Sequence, residues 1–334
     1  MTTIYRTILG LMAISLFDLS AAAEQPMTKP EFAIAIHGGA GVEPEELTVD
    51  EKRRYHDALA KALEIGRQIL AAGGTSLDAV EQTLRVMEDD PLFNAGRGAV
   101  FNSAGGHELD ASIMDGSNRQ GGGVAGVTTV KNPISLARLV MTETPHVLLM
   151  GAGAERFADE MRGKPAIERV PNSYFSTDER REQWQEAVDR EKKKRAAQIN
   201  KGTVGCVTLD KHGNLAAGTS TGGLTNKKWG RAGDSPILGA GTYADNAACA
   251  ISCTGTGEYF IRNSAAFHVA ALMAYKGLPL DEAVRYVIEK VLEPDTGGLI
   301  AVDHLGHISM QFNTAGMARA ATDSTGKVEI KLGK

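Results

Sequence analysis

The sequence predicts an α+β protein built in layers, with sheets packed face to face and helices outside. Two hairpins predict the sheets. One joins residues 204–209 to 215–219 through a Lys211-His212-Gly213-Asn214 turn. The other joins 300–302 to 308–312 through Asp303-His304-Leu305-Gly306. Amphipathic stretches at 259–275 and 281–292 lie between these hairpins, so strands and helices come in pairs and not in βαβ alternation.

The earlier elements follow in order. Residues 31–36 read as a strand entering His37-Gly38-Gly39-Ala40-Gly41. Thr48 caps a helix and Glu51 completes its capping box. Tyr55, Leu59, Leu63 and Leu70 keep helical spacing there, and Gly73-Gly74 ends it. A second helix over 76–87 stops before Asp90-Pro91. Strands and glycine turns continue to Val130, followed by a helix over 135–141, a short strand over 147–150 and a helix over 152–161. Residues 163–202 differ: 178–195 is dense in both signs of charge with few apolar anchors, as in a solvated helix or a mobile linker.

Composition narrows the function classes. The chain has 334 residues, 43% hydrophobic and 23% charged, enough for a large core in a soluble protein. A net charge of −5 without single-sign blocks argues against nucleic acid or an anionic membrane as partner. The three cysteines, Cys206, Cys249 and Cys253, form no CxxC pair and read as small buried apolar residues. No phosphate loop, HExxH motif or metal-like histidine spacing occurs, so no catalytic cofactor is expected. At the N-terminus, Arg6 precedes the apolar run 8–17, and Ala21-Ala22-Ala23 offers a cleavage site before Glu24. Residues 1–23 therefore read as a signal peptide and the protein as exported to the periplasm; the alternative is an apolar N-terminus on a cytoplasmic protein.

Gly202-Thr203-Val204-Gly205 is the most informative segment. It ends the charged stretch and opens a strand. A cut at the Gly202–Thr203 bond would give Thr203 both a hydroxyl and an α-amine, a nucleophile and a base in one residue. That amine has a pKa of about 7.7–8.0 and is partly neutral near pH 7. The same four residues also suit an ordinary loop-to-strand junction. Gly218-Thr219-Ser220-Thr221-Gly222 matches a serine-hydrolase elbow, but a loop-like stretch follows it where a helix is required. Gly151-Ala152-Gly153 lacks the third glycine of a dinucleotide turn. Arg231-Ala232-Gly233-Asp234 can clamp the α-carboxylate and α-ammonium of an amino acid, or form a surface salt bridge. Thr254-Gly255-Thr256-Gly257-Glu258 can hold an oxyanion on backbone N–H groups, or simply begin a helix.

Together these segments resemble one family, the plant-type L-asparaginases or isoaspartyl peptidases of the N-terminal-nucleophile hydrolases. The resemblance runs from Ala33-Ile34-Ala35-Ile36-His37-Gly38-Gly39-Ala40-Gly41 to Phe312-Asn313-Thr314-Ala315-Gly316-Met317. It includes Pro91-Leu92-Phe93-Asn94-Ala95-Gly96, Glu108-Leu109-Asp110-Ala111, Thr219-Ser220-Thr221-Gly222-Gly223, Gly233-Asp234-Ser235-Pro236 and Cys253-Thr254-Gly255-Thr256-Gly257-Glu258.

The resemblance implies a four-layer αββα sandwich, made as a precursor that cuts itself between Gly202 and Thr203. The pieces would be an α subunit, 24–202, and a β subunit, 203–334, associating as a dimer of αβ heterodimers. It implies hydrolysis of β-aspartyl dipeptides and L-asparagine with release of L-aspartate. Thr203 would be the nucleophile, with Thr221 bonded to it and Asn94 bordering it. Thr254 and Gly255 would form the oxyanion hole. Arg231, Ala232, Gly233, Asp234, Thr256 and Gly257 would join Thr254 and Gly255 in binding substrate. It also implies a structural sodium on the main-chain carbonyls of Met87, Glu88, Asp90, Phe93, Ala95 and Arg97. Two other functions share parts of this pattern: a glycosylasparaginase, with the same nucleophile and clamp, and an exported amino-acid-binding protein that uses Arg231 and Asp234 alone.

Overall fold

The computed structural model describes residues 29–164, 167–193 and 202–334. The signal peptide expected over 1–23 and the stretch 194–201 lie outside the described residues. The described strands are β1 (Ala33–Ala40), β2 (Leu109–Asp115), β3 (Gly121–Val127), β4 (Leu148–Met150), β5 (Val204–Leu209), β6 (Leu215–Thr221), β7 (Thr242–Ala244), β8 (Cys249–Gly255), β9 (Gly297–Asp303), β10 (Ile308–Phe312), β11 (Met317–Asp323) and β12 (Val328–Lys331). The α-helices are α1 (Val49–Ala71), α2 (Ser76–Glu88), α3 (Pro133–Glu143), α4 (Gly151–Glu160), α5 (Asp178–Lys192), α6 (Gly257–Asn263), α7 (Ala265–Lys276) and α8 (Leu280–Tyr286).

Eight strands form one sheet in the order β12-β11-β1-β5-β6-β2-β3-β4, and four form the other, β10-β9-β8-β7. Strand periodicity builds the layers. In β1, Ile34 and Ile36 enter a core shared with α1 and α2 residues such as Leu59, Leu63 and Leu84. Ala33 and Ala35 point the other way, to Val207, Ala217, Ala250, Ile300 and Val302 between the sheets. The outer face of the small sheet packs Ile251, Cys253 and Leu299 on Val269, Leu272 and Val284. The result is a four-layer αββα sandwich. All three cysteines are buried and free.

Local chemistry sets the boundaries. The Thr48–Glu51 capping box forms as expected. β1 runs past the expected 31–36 through His37 to Ala40, with a bulge in its pairing between His37 and Gly39. β6 reaches Thr221, so Ser220 lies buried within a strand, bonded to Glu88, and no serine elbow exists.

Two expected helices are divided. The stretch 259–275 breaks at Ser264, which has φ +46. The first N–H groups of α7 are instead satisfied by loop carbonyls, Ala266 N to Ala240 and Phe267 N to Gly239. The stretch 281–292 is α8 followed by a π-helical turn, Val287–Val291. Within the charged segment, α5 buries no whole residue but is anchored. Arg180 donates to the carbonyls of Gly98 at 2.7 Å and Leu92 at 3.1 Å, and the Trp184 ring centroid lies 5.6 Å from that of Phe101.

Candidate active site

Thr203 immediately precedes β5, in the middle of the large sheet, and is 7% exposed. Its Oγ1 lies 2.8 Å from the Gly202 carbonyl oxygen and 3.1 Å from Thr221 Oγ1. Thr221 is placed by β6, and its hydroxyl accepts Gly223 N–H at 3.0 Å. Asn94 Nδ2 donates to the Gly202 and Gly223 carbonyls, both at 2.8 Å. The bulged end of β1 backs the same peptide: a Cβ on Gly39, at φ +117, would lie 2.8 Å from Gly202 Cα and 3.3 Å from Thr203 N. Only glycine permits that approach.

A cleft opens beside this bond. Gly202, Thr203, Thr221, Gly223, Leu224, Arg231, Gly233, Asp234, Ser235 and Gly255 line it. Asp234 is 4% exposed and its Oδ2 has no hydrogen-bond partner. Burial pushes its pKa up to about 7. A buried carboxyl group with one oxygen lacking a hydrogen-bond partner, on a residue that lines a cleft, suits an incoming cation. The Arg231 guanidinium stands beside it, held by Glu258 through two 2.9 Å bonds, Nε to Oε1 and Nη2 to Oε2.

The remaining expected residues divide. Thr254 is fully buried behind the cleft, where its Oγ1 accepts Ala40 N–H at 3.1 Å. That leaves its hydroxyl proton available. Gly257 packs against the clamp; a Cβ there would lie 2.7 Å from Asp234 Oδ1 and 3.0 Å from Arg231 Nη2. Ala232 and Thr256 are outside the cleft lining, and Thr256 stands at the N-cap position of α6 without a side-chain capping bond.

The asparaginase family model matches residues 30–332. The chain belongs to the asparaginase family. It is 50% identical to the isoaspartyl peptidase of Escherichia coli (strain K12), over 86% of this chain and 91% of that one. It is 43% identical to the probable isoaspartyl peptidase/L-asparaginase 2 of Arabidopsis thaliana, over 90% and 98%. It is 40% identical to the isoaspartyl peptidase/L-asparaginase of Mus musculus, over 90% of each. The αββα sandwich of this asparaginase-family chain is accordingly that of the N-terminal-nucleophile hydrolases.

Two contacts of this asparaginase-family site go beyond the sequence reading. His37 Nδ1 lies 2.9 Å from the Thr203 carbonyl oxygen. Glu258, read in the sequence only as a helix-start residue, grips Arg231. Its place directly after Gly257 was the available signal.

The loop after α2 bears on the expected cation. Among the described residues, nothing donates to the carbonyls of Phe93, Ala95 or Arg97, while Glu88 O accepts Arg97 N–H at 2.7 Å. A Cβ on Gly98 would lie 2.5 Å from Pro91 O and 2.6 Å from Phe93 O. Met87 O and Asp90 O accept the N–H groups of Asp90 and Phe93, both at 3.3 Å. Of the six expected donors, the Phe93, Ala95 and Arg97 carbonyls are therefore the ones left over, and their oxygens suit a hard cation.

Proposed function

We propose that this chain is an isoaspartyl peptidase/L-asparaginase that cuts itself at Gly202–Thr203 and then releases L-aspartate from β-aspartyl dipeptides and L-asparagine. The observation that carries the reading is one cleft lined by Thr203, whose hydroxyl bonds the scissile Gly202 carbonyl, and by Asp234, whose Oδ2 has no hydrogen-bond partner.

In the first reaction, Thr203 Oγ attacks the Gly202 carbonyl carbon. The Asn94 amide, already bonded to that oxygen, stabilises the charge developing on it. The hydroxyl proton passes to the Thr203 nitrogen as the C–N bond breaks. Water then hydrolyses the Gly202 ester and frees both the hydroxyl and the α-amine. Gly202 itself lines the cleft beside Thr203. Departure of Gly202 therefore opens the substrate site as well as creating the base.

In the second reaction, Thr203 Oγ attacks the β-carbonyl of an aspartyl unit. The α-amine takes the hydroxyl proton and delivers it to the leaving nitrogen. Thr254 Oγ1–H and Gly255 N–H stabilise the oxyanion; one such donor is worth about 2.7–4 kcal/mol of barrier. Water then releases aspartate. Asp234 receives the α-ammonium and Arg231 the α-carboxylate. Both groups must be free, so the scissile bond leaves the β-carbonyl and an α-linked peptide is refused.

We propose also that the Met87, Glu88, Asp90, Phe93, Ala95 and Arg97 carbonyls hold a sodium ion that stiffens the loop carrying Asn94, that two αβ pairs associate, and that residues 1–23 direct export to the periplasm. The interleaved sheet supports lasting association of the two pieces. β5 and β6 lie between β1 and β2, so severing Gly202–Thr203 leaves the strands hydrogen-bonded.

Purified protein should hydrolyse β-aspartyl-leucine and leave α-aspartyl-leucine intact. Equal turnover of both would overturn the clamp, and cleavage of a glycosylated asparagine in preference to the dipeptide would overturn the substrate assignment.

A further inference from the structure

His37 reaches the nucleophile residue from a neighbouring strand. The β1–β5 ladder begins at the His37/Gly205 pair and the β5–β6 ladder at Val204/Ser220, so Thr203 precedes both. Its carbonyl is bonded by the His37 ring, Nδ1 at 2.9 Å. A carbonyl only accepts, so Nδ1 carries the proton. The imidazole is fully buried, and burial lowers its pKa to about 4. The ring is therefore neutral at ordinary pH, and Nε2 accepts.

What Nε2 accepts from is a line of buried hydroxyls. Ser252 Oγ lies 3.0 Å from Nε2, Thr219 Oγ1 lies 2.6 Å from Ser252 Oγ, and Thr242 Oγ1 lies 2.6 Å from Thr219 Oγ1. Ser112 Oγ follows, 2.8 Å from Thr242 Oγ1. All four are buried, and they alternate between the two sheets, on β8, β6, β7 and β2. With Nδ1–H fixed by the carbonyl, Ser252 donates to Nε2, and Thr219 and Thr242 can each donate to the next hydroxyl toward His37. Ser112 Oγ also lies 2.6 Å from the Ser235 carbonyl and Thr219 Oγ1 3.1 Å from that of Gly241, acceptors that compete for those two protons. Aligned hydrogen bonds of this kind polarise and orient one another.

The space for this arrangement is reserved. A Cβ on Gly205 would collide with both Ser252 Oγ and His37 Nε2. On β6, Thr219 and Thr221 share a face. Thr221 bonds the Thr203 hydroxyl, and Thr219 acts on the Thr203 carbonyl through Ser252 and His37. The threonines flanking Ser220 thus address the two ends of one residue.

We propose that His37, held by the Ser252–Thr219 hydroxyls, is a positioning residue that tethers Thr203 through its carbonyl once the Gly202 bond is cut. The inference rests on the reading of Thr203 as the nucleophile. Cleavage removes the covalent anchor on the N-terminal side of Thr203. The α-amine and Oγ1 both depend on the Thr203 backbone for their aim at the substrate. The His37 bond restrains that backbone from the carbonyl side. Arg231 and Asp234 lie on a separate loop, so substrate binding does not depend on the tether.

The test compares full-length-expressed His37→Leu, His37→Asn, Ser252→Ala and Thr219→Val with the parent. Self-cleavage is followed on denaturing gels, and kcat and KM for β-aspartyl-leucine are expressed per free N-terminal threonine. His37→Leu should lower kcat by up to about 10²-fold with KM unchanged, as a nucleophile displaced by an ångström would. His37→Asn, whose amide replaces the Nδ1–H donor, should recover most of that loss. Ser252→Ala and Thr219→Val should lower kcat by smaller factors. Parental kcat in His37→Leu overturns the tether, as does a loss in which KM rises with kcat intact, or His37→Asn no better than His37→Leu at an equal melting temperature. Should His37→Leu not fold, parental kcat in both hydroxyl variants overturns it. If the parent cleaves at Thr203 and turns over the dipeptide while these variants match it, only the tether fails and the nucleophile stands.

Discussion

Asn94 Nδ2 donates to the Gly202 carbonyl at 2.8 Å, while Asn94 Oδ1 accepts Val100 N–H at 3.0 Å. The side chain is fixed at both ends, with its amide on the oxygen that becomes negative during self-cleavage. Asn94→Asp keeps the shape and loses the donor. Loss of one oxyanion donor costs about 10²–10³ in rate. Self-cleavage of this variant, followed by gel after purification, should slow by that order. Parental speed would remove Asn94 from the processing chemistry.

Asp234 sets the acid limb of activity. Its pKa is about 7 because burial disfavours the carboxylate. The substrate ammonium requires the ionised form. As pH falls through 7 the site protonates, and kcat/KM for β-aspartyl-leucine should fall about tenfold per pH unit below it. Asp234→Asn should lose most binding and the part of this limb due to Asp234, leaving the shallower fall that protonation of the Thr203 α-amine causes. A flat profile from pH 5 to 7 in the parent would contradict the assignment.

The same carboxyl lowers stability at high pH. Its folded pKa lies above the unfolded value of about 3.9, so the folded state binds the proton more tightly. The contribution is fully favourable below about pH 4 and is lost as pH rises to 7. Asp234→Asn should therefore melt higher than the parent at pH 8.5, with the gap closing at pH 5. A lower melting temperature at pH 8.5 would count against a buried charge without a partner.

Glu258 orients Arg231 through the paired 2.9 Å bonds. Glu258→Gln keeps the length and breaks the fork. Steady-state kinetics should show KM raised roughly tenfold, the value of about one charged hydrogen bond, with kcat retained. A fall in kcat at constant KM would place Glu258 in the chemistry and not in the clamp.

The layers were legible because periodicity is local. The Thr48 capping box, the hairpin β5–β6 and the pairing of β9 with β10 follow from neighbours in sequence. The breaks were not. Ser264 adopts φ +46 where α7 is received by the carbonyls of Gly239 and Ala240, a tertiary contact that helical spacing does not encode. In the site, Thr203, Arg231 and Asp234 could be read from motifs. The role of His37 could not, because its partners Thr203, Ser252 and Thr219 meet it only when two sheets stack. The anchoring of α5 was hidden for a similar reason: its charged surface looks solvated until Arg180 meets the Gly98 and Leu92 carbonyls.

The most direct measurement is the N-terminal sequence and mass of the fragments formed when the purified chain is incubated, together with their turnover of β-aspartyl-leucine. The account predicts a fragment beginning at Thr203, activity that rises in step with it, and an uncut, inactive Thr203→Ala variant. Full activity in a chain still intact across Gly202–Thr203 would contradict it.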